Sequence, residues 1–115
     1  MTEAINYLGK KIKVLMDRPL GSKHPKYDFY YPVNYGYVPN TLAADGEELD
    51  AYVLGVDQPL EEFTGKCIAI IHRTDDNDDK LIVTPLGNTF TDEEITEQVK
   101  FQEQYFQSTI IRYKP

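Results

Sequence analysis

The sequence predicts one domain of mainly β class with some α (α+β): a small antiparallel sheet or barrel with a C-terminal helix packed on it. Three observations predict it. Short runs rich in Val, Ile and Tyr recur between turn-forming segments. An acidic turn, DDNDD, joins two of those runs as a hairpin. A capping box at Thr91 then opens a stretch whose apolar residues fall at helical spacing. The 115 residues suit a single domain spanning 1–115. Such a chain can bury roughly two thirds of its unfolded surface, enough for one core.

Taken in order, Lys11 to Met16 (KIKVLM) alternates and reads as a strand. Asp17 to Lys26 holds two prolines and a glycine, so it reads as a loop. Tyr27 to Tyr31 is a candidate short strand, and PVNYGYVPN, bounded by prolines, is extended or turning rather than helical. Leu49 to Val56 and Lys66 to His72 read as strands, the second nearly all apolar and so central. Asp75 to Asp79 is the turn into a further strand, Lys80 to Thr84. From Thr91 to about Gln107, Ile95, Val99 and Phe106, joined by Phe101 and Tyr105, form the apolar stripe of a helix laid on the sheet.

The formal net charge is −7. This argues against nucleic-acid and anionic-membrane partners, which need basic surface. No apolar run approaches the roughly 18 residues of a membrane span. The N-terminal residues carry no signal-peptide apolar core, so a cytoplasmic location is expected. Cys67, the single cysteine, lies in the apolar run CIAII and is expected to be a buried structural thiol. His24 and His72 are too scattered for a zinc site.

The acids are clustered. YYPVNYGYVPNTLAADGEELD ends in four carboxylates within six residues, from Asp45 to Asp50. Gly46 permits a tight turn, so Asp45 and Asp50 can face one point, with Asp50 held by a strand. Hard cations such as Mg²⁺ take carboxylate oxygens together with waters and substrate phosphate. A solvated acidic turn is the bland alternative for this motif alone. DDNDDK imitates the start of an EF-hand loop, but Lys80 stands where glycine is required. Lys80, next to those acids, suits a phosphate clamp or a surface counter-charge. Asp17 and Asp28 bracket a third acidic segment, with Lys26 beside the second. Of the tyrosines, one or two at most need touch a ligand; the others can cover an edge of the core.

In combination these segments resemble the family I soluble inorganic pyrophosphatases. Tyr31 to Asp50 resembles the family's YPxNYGY element and its D-(G/S)-D-(P/E)-apolar-D signature. Asp45, Gly46, Glu48, Leu49 and Asp50 fit that signature. Asp78-Asp79-Lys80, with Asp75, matches the acidic hairpin; Asp17-Arg18-Pro19 and Lys26-Tyr27-Asp28 match the opening segment; Tyr105 matches a tyrosine of the last helix. The resemblance implies an OB-like β-barrel and Mg²⁺-dependent hydrolysis of diphosphate to two phosphates. It implies Asp45, Asp50 and Asp78 around a first metal, with Asp50 bridging to a second. Asp75 and Asp78 would hold a third, and Asp17 and Asp28 a further one. It assigns Lys26, Lys80, Tyr35 and Tyr105 to phosphate oxygens, and Glu47 to the acid that deprotonates the attacking water. A homo-oligomer is also a candidate, since bacterial members often form symmetric assemblies.

The chain departs from the family pattern at four places. Tyr27-Asp28 runs almost directly into Tyr30-Tyr31-Pro32, where the family inserts a hairpin bearing a phosphate-binding arginine. Phe106 stands where the family has lysine, Glu47 where it has Asp, and Asp17 where it has Glu. Two readings therefore stand beside the diphosphatase: a non-catalytic relative that binds metal and phosphate, and a hydrolase of a larger phosphate ester. An OB-like single-strand binder using tyrosine platforms is disfavoured by the negative charge.

Overall fold

The alternating run after Lys10 becomes β1 (Lys11–Arg18), which continues into the segment expected to be loop. In the computed structural model, which describes residues 3–43 and 45–112, it follows a 3-10 turn at Glu3–Tyr7. Next come β2 (Asn34–Val38), β3 (Leu49–Val53), β4 (Glu62–Arg73), β5 (Asp79–Thr84), helix α1 (Asp92–Glu103) and β6 (Ser108–Arg112). The strands lie in the order β1-β2-β3-β5-β4, and β4 pairs back onto β1 to close a barrel. The expected barrel is present, but it is mixed: β3 and β5 run parallel, while the other pairings are antiparallel. The candidate strand at 27–31 is reduced to one isolated bridge between Lys23 and Tyr30.

Strand alternation sorts residues to two cores. Val14, Leu49, Ala51, Val53, Leu81 and Val83 point into the barrel. Tyr52, Ile71, Ile82 and Ala69 point outward, where Ile95 and Val99 of α1 cover them. Strand β4 serves both regions. Its first half closes the barrel against β1, and its second half carries β6 at the edge. A register shift between Cys67 and Ala69 marks the bulge where it bends. Cys67 is fully buried, as expected.

Gly36, between Tyr35 and Tyr37, is required by close approach. A Cβ there would overlap the carbonyl of Leu15 on β1. Asn34, fully buried, anchors the loops beside β2: its Oδ1 accepts from the amides of Leu20 (2.9 Å) and Leu60 (3.0 Å), and its Nδ2 donates to the Gln58 carbonyl (3.0 Å).

The helix begins as the sequence dictates. Thr91 Oγ1 accepts from the Glu94 amide and the Glu94 side chain accepts from the Thr91 amide. It stops at Glu103, earlier than expected, because residues 108–112 are drawn out as β6 against β4. The buried stripe is therefore Ile95, Val99 and Glu103, and Phe106 falls beyond the helix. Among the described residues no helix is long and apolar enough to cross a membrane.

Candidate active site

The outward face of the barrel carries the acids. Asp50 on β3 and Lys80 on β5 are neighbours across the parallel pairing, and Lys80 Nζ lies 2.6 Å from Asp50 Oδ2. The same ammonium lies 3.0 Å from Asp78 Oδ2, at the end of the acidic turn. The Lys80 side chain is only 5% exposed, so its charge is held by these two acids rather than by water. Asp50 and Asp78, distant in sequence, meet at this point.

Tyr35, from β2, lies beside Asp50, and burial, followed by the Asp50 charge, keeps its phenol well above its usual range. It is a donor throughout ordinary pH. Asp17 is the extra residue at a register shift of β1 between Met16 and Arg18. Bulges re-aim side chains in this way. Its carboxyl is pushed up by burial, then by the charge of Asp50, with Glu48 contributing. Asp17 thus feels the charges of Asp50 and Glu48, while the Arg18 charge opposes the rise.

Sequence reasoning missed Arg73, two residues past Ile71 on β4. Strand alternation is the signal that could have found it, because it puts Arg73 on the same face as Ile71 and Lys80. Its side chain is 8% exposed, and its guanidinium grips Glu103 of α1 with two bonds, Nε to Oε1 at 2.9 Å and Nη2 to Oε2 at 2.7 Å. Nη1 contacts Asp76 at 3.3 Å and reaches Asp78 at 4.0 Å. Burial would lower the Arg73 pKa, but the Glu103 bonds and charge outweigh it and raise it. The Phe106 ring stacks 3.6 Å from the guanidinium carbon. Glu103 also accepts from Tyr52 Oη at 2.6 Å, and Gln102 bridges Tyr52 to Tyr31. Arg73 thus joins α1 to the acidic turn. The Glu103 it needs was hidden in a helical stripe read for its apolar members.

The remaining candidates stand on more exposed segments. Asp45 folds its carboxylate onto the Glu47 amide (3.0 Å) in a turn through Gly46, whose φ is +87°. Glu47 is exposed on that turn, which Thr41 closes by accepting from the Leu49 amide and donating to the Val38 carbonyl. Asp75 accepts from the Gln107 amide at 3.1 Å. Asp28 pairs with Lys23 at 3.7 Å. Lys26 is exposed, and its backbone amide donates to His24 Nδ1. Tyr105, 69% exposed, stands at the mouth of a cleft of about 520 Å³ floored by Lys80 and Arg73.

Lys80 and Arg73 together face Asp50, Asp78, Asp76 and Glu103, with Asp17 coupled to Asp50, so acids outnumber bases. Among the described residues no group of three His, Cys, Asp or Glu stands ready to hold a metal by itself. Asp50 and Asp78 converge as a pair on one positive charge. That donor set fits Mg²⁺, which commonly takes one or two carboxylates and completes its shell with water and phosphate oxygens.

A family model described as inorganic pyrophosphatase matches residues 7–113. The inorganic pyrophosphatase of Xylella fastidiosa is 30% identical over 115 residues, covering 79% of this chain and 63% of its own. The chain thus spans less than two thirds of that relative's length. Among solved structures, inorganic pyrophosphatase from Ehrlichia chaffeensis superposes with a TM-score of 0.68 at 20% identity, over 88% of this chain and 84% of its own. That from Neisseria gonorrhoeae gives 0.63 at 27% identity, over 84% and 71%.

Proposed function

The chain belongs to the inorganic pyrophosphatase family, and from that membership we propose that it hydrolyses inorganic diphosphate to two phosphates with Mg²⁺. The observation that carries the reading is the meeting of Asp50 and Asp78 on Lys80, a residue that itself lines an open cleft. Acids in excess of bases repel a bare diphosphate, and a divalent cation reverses that field.

Asp50 and Asp78, with Asp17 beside Asp50, are the proposed metal ligands, and Asp45, Asp75 and Asp28 the proposed outer acids. Bound Mg²⁺ supplies Lewis acidity, lowering the pKa of a water and neutralising phosphate charge. The chain's residues do the rest. Tyr35 keeps its proton and orients the Asp50 carboxylate. A lysine ammonium has three N–H donors; Lys80 directs one to Asp50 and pairs by charge with Asp78, and a further donor serves a phosphate oxygen. Arg73 holds the acidic turn against α1. Glu47, exposed on its turn, takes the proton of the attacking water as the P–O bond to the leaving phosphate breaks. Lys26 and Tyr105 contribute donors at the mouth. The reading takes the compartment to be the cytoplasm, supported by the single free thiol.

The test is phosphate release from diphosphate with Mg²⁺, for the parent and for Asp50→Asn. A parent that turns over and a variant slower by on the order of 100-fold or more support the reading. An inactive parent, or equal rates, contradicts it.

A further inference from the structure

The walls of the cleft are not those an inorganic ion needs. Tyr27, Phe29, Tyr31 and Tyr35 line one side, and Tyr105 and Phe106 follow α1. A bare diphosphate offers nothing to a π-face. The rings are ordered among themselves: Tyr27 and Phe29 lie within 8° of parallel at 6.3 Å, and Tyr31 and Tyr35 within 28° at 5.6 Å. Core packing explains Tyr31, which is buried, but not Tyr27, which remains 63% exposed.

The segment that presents Tyr27 is held by its own bonds. His24 Nδ1 accepts from the amides of Lys26 (3.0 Å) and Tyr27 (3.2 Å), and the His24 amide donates to the Phe29 carbonyl (2.9 Å). The Tyr27 ring packs 4.9 Å from the His24 ring. An exposed ring on a hydrogen-bonded turn, facing a cleft with an ammonium at its floor, is a platform for a planar group joined to a phosphate. The volume, about 520 Å³, falls within the ~300–1,000 Å³ of pockets that enclose an organic ligand.

We propose that this cleft binds a phosphoanhydride bearing an aromatic ring, with a nucleoside diphosphate as the fitting class. Lys80 takes the phosphates, and the rings of Tyr27 and Phe29 take the base. This rests on the reading of Lys80 as the phosphate-binding group, and it goes beyond inorganic diphosphate in naming the organic part.

The test is calorimetric binding to the whole chain, in one Mg²⁺ buffer, of α,β-methylene ADP and of imidodiphosphate, in both of which the phosphoanhydride bridging oxygen is replaced. The methylene nucleotide is expected to bind on the order of ten-fold tighter. Tyr27→Ala and Phe29→Ala should each shrink that ratio several-fold. The shared imidodiphosphate arm reports whether the variant's phosphate site is intact. Equal or weaker nucleotide binding in the parent, or a ratio unmoved by both variants, overturns the proposal. Imidodiphosphate binding alone overturns it and leaves the diphosphatase reading standing; nucleotide binding alone supports it against that reading; binding of neither overturns both.

Discussion

Lys80 and Asp50 face each other across the parallel β3–β5 pairing, and their charges meet at 2.6 Å. The ammonium also contacts Asp78, so one base holds two acids that would otherwise repel. The location that a cation favours is thereby defined by the protein's own lysine.

Removing that lysine charge should expose the repulsion. Because Asp50 is 32% exposed, solvent softens the effect, and Lys80→Met is expected to cost about 1–3 kcal/mol in metal-free protein. For a chain of this size that is about 4 °C in Tm per kcal/mol. Mg²⁺ should raise the variant's Tm more than the parent's, which differential scanning calorimetry with and without metal will show. Equal metal-induced shifts would count against a shared site for lysine and cation.

Asp17 carries an expected cost of function. Its carboxyl is raised in the folded state, by burial first and then by Asp50, so the ionised form destabilises the fold. That penalty is absent below the ordinary aspartate value of 3.8 and grows as pH rises through the folded value. Asp17→Asn should therefore be more stable than the parent at pH 7 without metal, and equal to it at the acid end. Thermal melts across pH will test this; a variant less stable at pH 7 would refute it.

The Arg73–Glu103 pair should behave as a buried structural bond. Arg73→Met leaves Glu103 unpaired and is expected to cost about 3–5 kcal/mol in urea unfolding. The double variant Arg73→Met/Glu103→Leu should recover much of that loss. Additive losses would mean that the two side chains do not share their energy.

Cys67 should be inert while the protein is folded. Burial pushes its thiol up to about 12, outweighing hydrogen bonds that lower it, so the thiolate is scarce near neutral pH. An aromatic disulfide reagent at pH 8 should label it slowly in the native state and fully in urea. Rapid native labelling would contradict its placement inside the barrel.

Much of the fold was legible in the sequence because period-two alternation and turn residues act locally. KIKVLM, KCIAIIH and KLIVT became strands, and the Thr91 capping box fixed the start of α1. The parallel β3–β5 pairing was not legible, since it depends on which strands meet across the barrel. The helix end was misjudged because β4 supplies a long-range partner that draws residues 108–112 out of helix. In the site, Asp50, Lys80, Tyr35 and Asp78 are drawn together. Arg73 and Glu103 went unseen for a physical reason: a buried charge is revealed only by its partner, and these two lie 30 residues apart.

The most direct measurement is a calorimetric titration of Mg²⁺ into the parent and into Asp50→Asn/Asp78→Asn. Saturable binding by the parent, weakened on the order of ten-fold or more in the double variant, is expected from two charge-assisted contacts. Unchanged affinity in the double variant, or no binding by the parent, would contradict a cation site at the meeting of these two aspartates.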